Sequence, residues 1–556
     1  MVNTILLHWL DWVVIAAYFA GIVSVGLFVS RRVNKTEHYF LGNRGFSVWL
    51  ILGQAFGVGT HAEMPVSLAG AVFQSGYSAI WYQWKNLFIT PFYWLLGPLF
   101  RRMRRTTLGE VYEDRYGKSM GVIYTFFALA FFSFNMGAML KGAGKLVSVA
   151  AGEAVTPNTV VIAMTATFLA YSLVGGLVAA AYTDFVQSFF IIALSFLLIP
   201  IGLMRIGGFS SIQSNVQPEM LSLVTPGDIG VFTILMLTIN GLVGITAQPH
   251  MIAAIGTGKD ERSCRIGMTY GNFIKRFCTI GWAVVGLIVM VLLMETGDVL
   301  ADREDAFGYA TRELLFPGAV GLMIACVLAA NMSTCSAFTV DSGALFTQNF
   351  YRRYLAGNRS DRHYMNVGRL SGVTVTTLGV LFGLYVDIVL EAFLFTETIS
   401  AFMGISMLGG IAWRRANRYG AFMSLLVSST LFFWMTFRDY GILLRWQDWN
   451  FGLSMLAGFA TLIFVSLITK PEPKTVLDAF YERLHSASCF DDSTGKEKLV
   501  TKEGHDLLIA NLFDLRLNQG WKVFYGRFKV DINGFIVASG VVIGLIFLAR
   551  GILLLP

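Results

Sequence analysis

Long apolar runs follow one another along almost the whole 556-residue chain, separated by short polar or charged stretches. Uninterrupted runs of about 18 or more apolar residues mark helices that cross a bilayer. They lie near 9–30, 46–73, 77–100, 119–149, 157–176, 180–204, 228–256, 266–294, 316–349, 365–387, 391–413, 417–437, 449–469 and 533–555. That makes about fourteen spans. Lipid offers backbone groups no water, so a spanning segment is either a helix or one strand of a closed barrel. These runs lack the period-2 alternation of barrel strands. The sequence predicts an all-α polytopic membrane protein.

One long polar segment, 471–530, stands apart from this pattern. Val476, Leu477, Phe480, Tyr481 and Leu484 recur in it at helical spacing, which predicts an amphipathic helix lying against the membrane or the bundle. The expected organisation is a first helix and loop over 1–44, a five-helix set over 45–204, and an outer loop over 205–227. A second five-helix set over 228–413 follows, then two peripheral helices over 414–470, the polar segment 471–530 and a last helix over 531–556.

Composition agrees: 55% of residues are hydrophobic and 14% charged, too little charge to cover a soluble domain of this size. The net charge of +7 does not signal nucleic acid, because its cations sit in every second short loop. Arg31 to Lys35, Arg101 to Arg105, Lys259 to Arg265, Arg352 to Arg362 and Arg414 to Arg418 form the basic set. The opposite set is neutral or acidic, as in the stretch from Glu295 to Glu313. The positive-inside rule then puts the N-terminus outside and 471–530 in the cytoplasm, in a multi-pass protein of the plasma (cytoplasmic) membrane. The first apolar run ends at Arg31-Arg32 with no small-residue cleavage pattern, so it is expected to remain as a helix. The five cysteines show neither a disulfide framework nor metal-ligand spacing.

Two spans are not good helices. The second carries Gly57, Gly59, Thr60, His61, Glu63 and Pro65 at its middle; the seventh carries Asn240, Gly241, Gly244, Thr246, Gln248, Pro249 and His250. Proline removes a backbone donor and glycine weakens the helix, so both should unwind at mid-membrane depth. Unwound backbone is tolerated there only around a protein-lined cavity. A pair of such breaks at corresponding places in two halves points to a transporter's binding site. The breaks stand five spans apart. An odd number of helices per repeat forces the second set to be inverted.

On the ninth span, Ser333 lies three residues before Ser336 and four before Ala337, within the run Ala330-Asn331-Met332-Ser333-Thr334. Hydroxyl and carbonyl oxygens are hard, uncharged ligands suited to an alkali cation. The run from Thr183 to Gln187 after Gly175-Gly176, the run from Ala330 to Thr334, Phe346-Thr347 and the run from Trp413 to Asn417 together resemble the sodium:solute symporter family. So does Tyr39-Phe40-Leu41-Gly42-Asn43-Arg44 before the first break. The matches run in order from about residue 10 to residue 485.

The resemblance implies sodium-driven uptake through a LeuT-like inverted five-plus-five helix repeat with additional flanking helices. Carried over by position, it makes the Ser333 and Thr334 hydroxyls and the carbonyls of Ala330, Gly57 and Thr60 the sodium ligands, with sodium the only metal. It places Asp184 on the route by which sodium leaves. Some relatives hold an additional sodium beside two adjacent serines. Here Ser336 is followed by Ala337, which removes one hydroxyl and favours one sodium per cycle.

Substrate contacts are expected beside the breaks, from His61, Glu63, Met64, Gln83, Asn86, Asn240 and Lys275. Glu63, Asn240 and Lys275 resemble positions of the sugar-carrying branch. Its Tyr-Glu-Trp motif reads Tyr82-Gln83-Trp84 here, Met64 stands for a glutamine, and Val243 stands for a gating tyrosine, so a sugar is not supported. Gln248-Pro249-His250 looks more like the proline-transporting branch. Intramembrane charges occur at Glu63, Lys85, Lys141, Lys275, Arg276, Asp341 and Glu397; such groups either pair or line a wet path. The excess of cations favours an organic anion or an amino-acid-like zwitterion. The expected partners are this small solute, sodium as coupling ion and membrane lipid, with no cofactor, no nucleic acid and no enzymatic constellation. The alternatives are a proton-coupled symporter using Glu63 or Asp341, and a transporter-like sensor.

Overall fold

The computed structural model describes residues 7–30, 46–57, 59–105, 107–152, 155–225, 229–256, 258–491, 496–500, 506–511 and 520–555; some side chains within these ranges, including 173–184, 253–254 and 488–500, lie outside the described set. Among the described residues, nine helices are long and apolar enough to cross a membrane, and four shorter apolar helices accompany them.

In chain order the helices begin with α1 (Trp9–Ser30), α2 (Val48–Gly57), α3 (Glu63–Ser75), α4 (Trp81–Trp84) and α5 (Thr90–Met103). Next come α6 (Leu108–Tyr116), α7 (Lys118–Ala150), α8 (Pro157–Phe196), α9 (Leu198–Ile206) and α10 (Phe209–Asn215). The second half holds α11 (Val231–Gly244), α12 (His250–Ile255), α13 (Glu261–Thr296), α14 (Ala306–Leu314) and α15 (Ala319–Phe346). It continues with α16 (Asp361–Tyr385), α17 (Val389–Ala412), α18 (Arg418–Tyr440), α19 (Asp448–Ile468), α20 (Lys474–His485) and α21 (Trp521–Ile552).

Both expected breaks are present. At about 1.5 Å per residue, the ten residues of α2 reach only halfway through a hydrocarbon core, so α2 and α3 cross it together. The turn at 245–249 divides α11 from α12 in the same way. A third break was not foreseen. The span expected over 77–100 is a 3₁₀ turn at Tyr77–Ile80, the single turn α4, a non-helical stretch at 85–89 and then α5. Pro91 lies in the first turn of α5, where its missing donor costs nothing, so it gave no warning of an interruption before it.

The backbone of α8 is helical through the boundary expected at 176–180, which falls among residues whose side chains are outside the described set. The last helix starts at Trp521 rather than 531, with a kink at Phe528. The 471–530 segment departs from all-α structure: after α20 it forms an antiparallel hairpin, β1 (Ala487–Asp491) with β2 (Lys496–Val500).

Glycines set the closest helix crossings. A Cβ on Gly142 of α7 would stand 2.6 Å from Cβ of Glu63, and one on Gly271 of α13 would stand 2.8 Å from the Leu52 carbonyl. The inner helices α7, α13, α15 and α17 are largely buried, whereas α18, α19 and α21 present Trp434, Leu456, Phe464, Ile468, Ile536 and Phe547 outward, the faces suited to lipid.

Polar side chains also fasten the helix ends. Arg115, inside α6, donates to the carbonyls of Gly410 in the last turn of α17 and of Trp413 and Ala416 just beyond it, which places a cation at that helix C-terminus. The amphipathic helix α20 docks on the bundle: Leu477, Phe480, Tyr481 and Leu484 are buried, and the Tyr481 hydroxyl donates to Gly410 at 2.8 Å. At the other end of the bundle, the Asp11 carboxylate accepts from Gly318 and Gly321 N–H at 2.7 Å, so α1 caps the start of α15.

Candidate functional site

The first break is tied on every side, which is what allows it to exist in a membrane. The Ala62 N–H donates to Asn331 Oδ1 at 2.8 Å, and Asn331 Nδ2 donates to the Met139 carbonyl at 2.5 Å. Asn331 therefore fastens the break to α15 and α7 together. The Gly59 carbonyl accepts from Lys275 of α13. Glu63, the first residue of α3, pairs with His61 and is fully buried, a favourable place for a carboxylate at a helix N-terminus.

The Gly57 carbonyl points at α15. Ser333 Oγ lies 3.4 Å from it and 3.2 Å from the Ala330 carbonyl; Thr334 Oγ1 lies 3.4 Å and 3.5 Å from the same two oxygens. All these residues are buried, and the Thr60 hydroxyl beside them has no hydrogen-bond partner among the described residues. Hydroxyl-to-oxygen hydrogen bonds centre near 2.7–2.8 Å. The four separations at this site are longer than that. Ser336 is buried on the same helix with its hydroxyl unpartnered. The Asp184 side chain lies outside the described residues.

The second break disposes of its backbone similarly. Ser400 donates to the Gly244 carbonyl at 2.9 Å and Tyr124 to the Ala247 carbonyl at 2.7 Å. Gln248 reaches across to Glu397 of α17 at 3.0 Å, and Glu397 also accepts Lys85, from the third break, at 3.0 Å. Lys85 thus has the structural pairing that its sequence position allowed.

Between the three breaks lies a cavity of about 60 Å³. His61, Met64, Gln83, Asn86 and Lys275 line it, as the sequence suggested. Glu63 and Asn240 do not. Glu63 packs against Gly142, and Asn240 is buried with its amide donating to Thr398 at 3.1 Å. The wall also includes Gln54, Asn135, Gln248, Asn272, Arg276 and Glu397. Of these, only Gln248, Arg276 and Glu397 carried a sequence signal, as a polar residue in a break or as intramembrane charges. The amides of Gln54, Asn135 and Asn272 sit in helices that read as ordinary apolar spans.

Several wall atoms have no hydrogen-bond partner among the described residues: Gln54 Oε1, Gln83 Nε2, Asn86 Oδ1, Asn135 Oδ1 and His250 Nδ1. Buried polar atoms are costly unless satisfied, so this wall suits water or a polar solute. Lys275 and Arg276 line the cavity side by side, and neither forms an ion pair with a carboxylate among the described residues. Among those residues, no group of three or more His, Cys, Asp or Glu is placed to hold a metal ion.

The chain is similar to the osmoregulated proline transporter OpuE of Bacillus subtilis (strain 168), at 26% identity over 478 residues, covering 82% of this chain and 94% of OpuE. It is also similar to the sodium/glucose cotransporter of Vibrio parahaemolyticus, at 24% identity, covering 76% of this chain and 84% of that protein. In three dimensions it is similar to the substrate-bound, outward-open state of a Na+-coupled sialic acid symporter. There the TM-score is 0.71 at 18% identity, covering 83% of this chain and 98% of the other. That likeness gives the fold, that of the LeuT-like transporters. The description "Sodium:solute symporter family" matches residues 39–428, which span both breaks and the Ser333–Thr334 pair. The chain belongs to the sodium:solute symporter family, a multi-pass membrane transporter rather than an enzyme.

Proposed function

We propose that the protein is a secondary active transporter that couples inward sodium movement to uptake of a small carboxylate-bearing solute, an organic anion or an amino-acid-like zwitterion. The observation that carries sodium is the oxygen gathering at Gly57, Ala330, Ser333 and Thr334. Calcium, closely similar in size to sodium, holds oxygens at about 2.3–2.6 Å, which makes the edges of an octahedral shell about 3.3–3.7 Å. The four separations of 3.2–3.5 Å lie at or beside that range. Thr60 is the fifth ligand, and a single sodium moves per cycle because Ala337 supplies no hydroxyl beside Ser336. Sodium leaves past Asp184.

The adjacent cations Lys275 and Arg276 support the carboxylate. A buried cation without an acidic partner is costly, and a solute carboxylate supplies one. His61, Met64, Gln83 and Asn86 complete the solute's surroundings, with Glu63 and Asn240 as supports behind the wall. The proline transporter among the relatives fits an amino-acid-like solute. The architecture in this reading is the inverted five-plus-five repeat, 45–204 and 228–413, within about fourteen spans. The N-terminus is outside and 471–530 is cytoplasmic, following the basic loops. Each sodium entering down 100 mV contributes about 2.3 kcal/mol to accumulation.

A thermal-shift screen of amino acids, carboxylates and sugars, with and without sodium, tests this reading. A solute at a hundred times its Kd stabilises the protein by about 2.7 kcal/mol. The expected result is stabilisation by a carboxylate-bearing compound only when sodium is present. Stabilisation by a neutral sugar alone, or by any compound equally in sodium and in choline, contradicts it.

A further inference from the structure

A second, much larger cavity of about 1040 Å³ opens at one end of the same helices, the end that the basic-loop pattern puts outside. It shares its floor with the inner cavity. On α17, Leu390, Glu391 and Leu394 face the large vestibule, while Phe393 and Glu397 face the inner cavity. In the third break, Tyr82 faces the vestibule, while Gln83 and Asn86 face the inner cavity. The partition between the two spaces therefore includes the stretches 82–86 and 390–397 together with α3, whose Met64 lines the inner cavity and whose Ala71, Gln74 and Ser75 line the vestibule.

One ion pair crosses that partition. Lys85 Nζ lies 3.0 Å from Glu397 Oε2 and 4.5 Å from the centre of the Phe393 ring, so the ammonium covers the ring and bonds the carboxylate at once. Gln248 Nε2 holds the other oxygen, Glu397 Oε1, at 3.0 Å. One carboxylate thus ties two non-helical stretches, 85–89 and 245–249, to a continuous helix. All three side chains are buried. Such a pair is costly to break by removing one partner, yet it adds little over a well-packed apolar contact. A removable bond of that kind suits an element that must alternate between two states more than it suits a permanent core.

We infer that the Lys85–Glu397 pair, seated on Phe393 and steadied by Gln248, is the outer lock of the cavity: made, it closes the cavity from the vestibule, and parted, it admits the solute. Lys85 and Glu397 act here as positioning residues. Gln248 makes the lock sense the second break, so closure draws the two unwound segments together. The inference rests on the transport reading, but its test needs neither sodium nor solute and can fail separately.

The test places a reporter thiol in the cavity as Asn272→Cys, since Asn272 lines the inner wall and not the vestibule. Its rate of reaction with a charged methanethiosulfonate is measured in the purified protein, against the parent lacking the added thiol. The four described native cysteines are buried, which keeps that background low. Adding Lys85→Gln or Glu397→Gln should raise the reaction rate at least fivefold. The exchange Lys85→Glu with Glu397→Lys should return it to within twofold of the parent, which a merely loosened fold does not explain. Should either glutamine variant fail to purify as a monodisperse species, Glu397→Asp, one methylene short of its partners, should give an intermediate rate. Unchanged labelling in the folded single variants, or labelling in the charge exchange as fast as in the singles, overturns the inference.

Discussion

Replacing Ser333 and Thr334 together with alanine should raise the sodium concentration that half-activates solute binding by roughly a hundredfold, while the protein stays folded. Taking each hydroxyl–cation contact as comparable to a hydrogen bond to a charged group, about 1.5–3 kcal/mol, losing two removes roughly 3 kcal/mol or more from the sodium site. The Ser333 and Thr334 hydroxyls meet the Gly57 and Ala330 carbonyls at 3.2–3.5 Å, longer than the usual hydroxyl hydrogen bond, so these contacts hold the fold only weakly. Folding should therefore suffer little, and the loss should be confined to sodium activation. A binding titration of the solute at increasing sodium measures it. Unchanged half-activation in the double variant would move the cation elsewhere.

Lys275→Met should weaken solute binding at saturating sodium by ten- to a hundredfold. A charge-assisted hydrogen bond to a carboxylate is about twice as strong as a neutral one, worth about 1.5–3 kcal/mol. Lys275 also holds the Gly59 carbonyl, two residues from Gly57 and one from Thr60. The methionine variant should therefore lose part of its sodium dependence as well, because the unwound segment loses a tether. Lys275→Arg keeps the charge and should retain more affinity than methionine does. Equal solute Kd values for the wild type and Lys275→Met would remove the carboxylate from this place.

What the sequence disclosed, and what it withheld, follows from the range of the interactions involved. Breaks at 57–63 and 245–249 were legible because glycine and proline act on the backbone where they stand. Helical spacing by itself singled out Ser333 with Ser336 on one face, and Thr334 joined Ser333 only through the family resemblance. The third break escaped because its proline comes after the interruption, in the first turn of α5, and Lys85-Asn86 reads simply as polar residues in a span.

Glu63 was placed on the solute because it stands in a break, but the side chain of that first helical residue is committed to His61 and packs on Gly142. Asn331 reads in the sequence as one residue of the Ala330–Thr334 run, yet its work of holding the break to two helices depends on Ala62 and Met139, distant in sequence. The Lys85–Glu397 pair joins residues 312 apart, and no local pattern specifies such a contact. Amides at Gln54, Asn135 and Asn272 become a wall only when three helices converge.

In the proposed mechanism sodium drives the solute across the membrane through this site. The direct measurement is uptake of the solute found by the thermal screen into proteoliposomes at fixed pH, with an inward gradient of sodium, potassium or choline imposed in turn. Accumulation above the outside concentration is expected with sodium alone, as is its loss in the Ser333→Ala, Thr334→Ala double variant. Accumulation that persists undiminished in potassium or choline, or that follows a proton gradient instead, would contradict it.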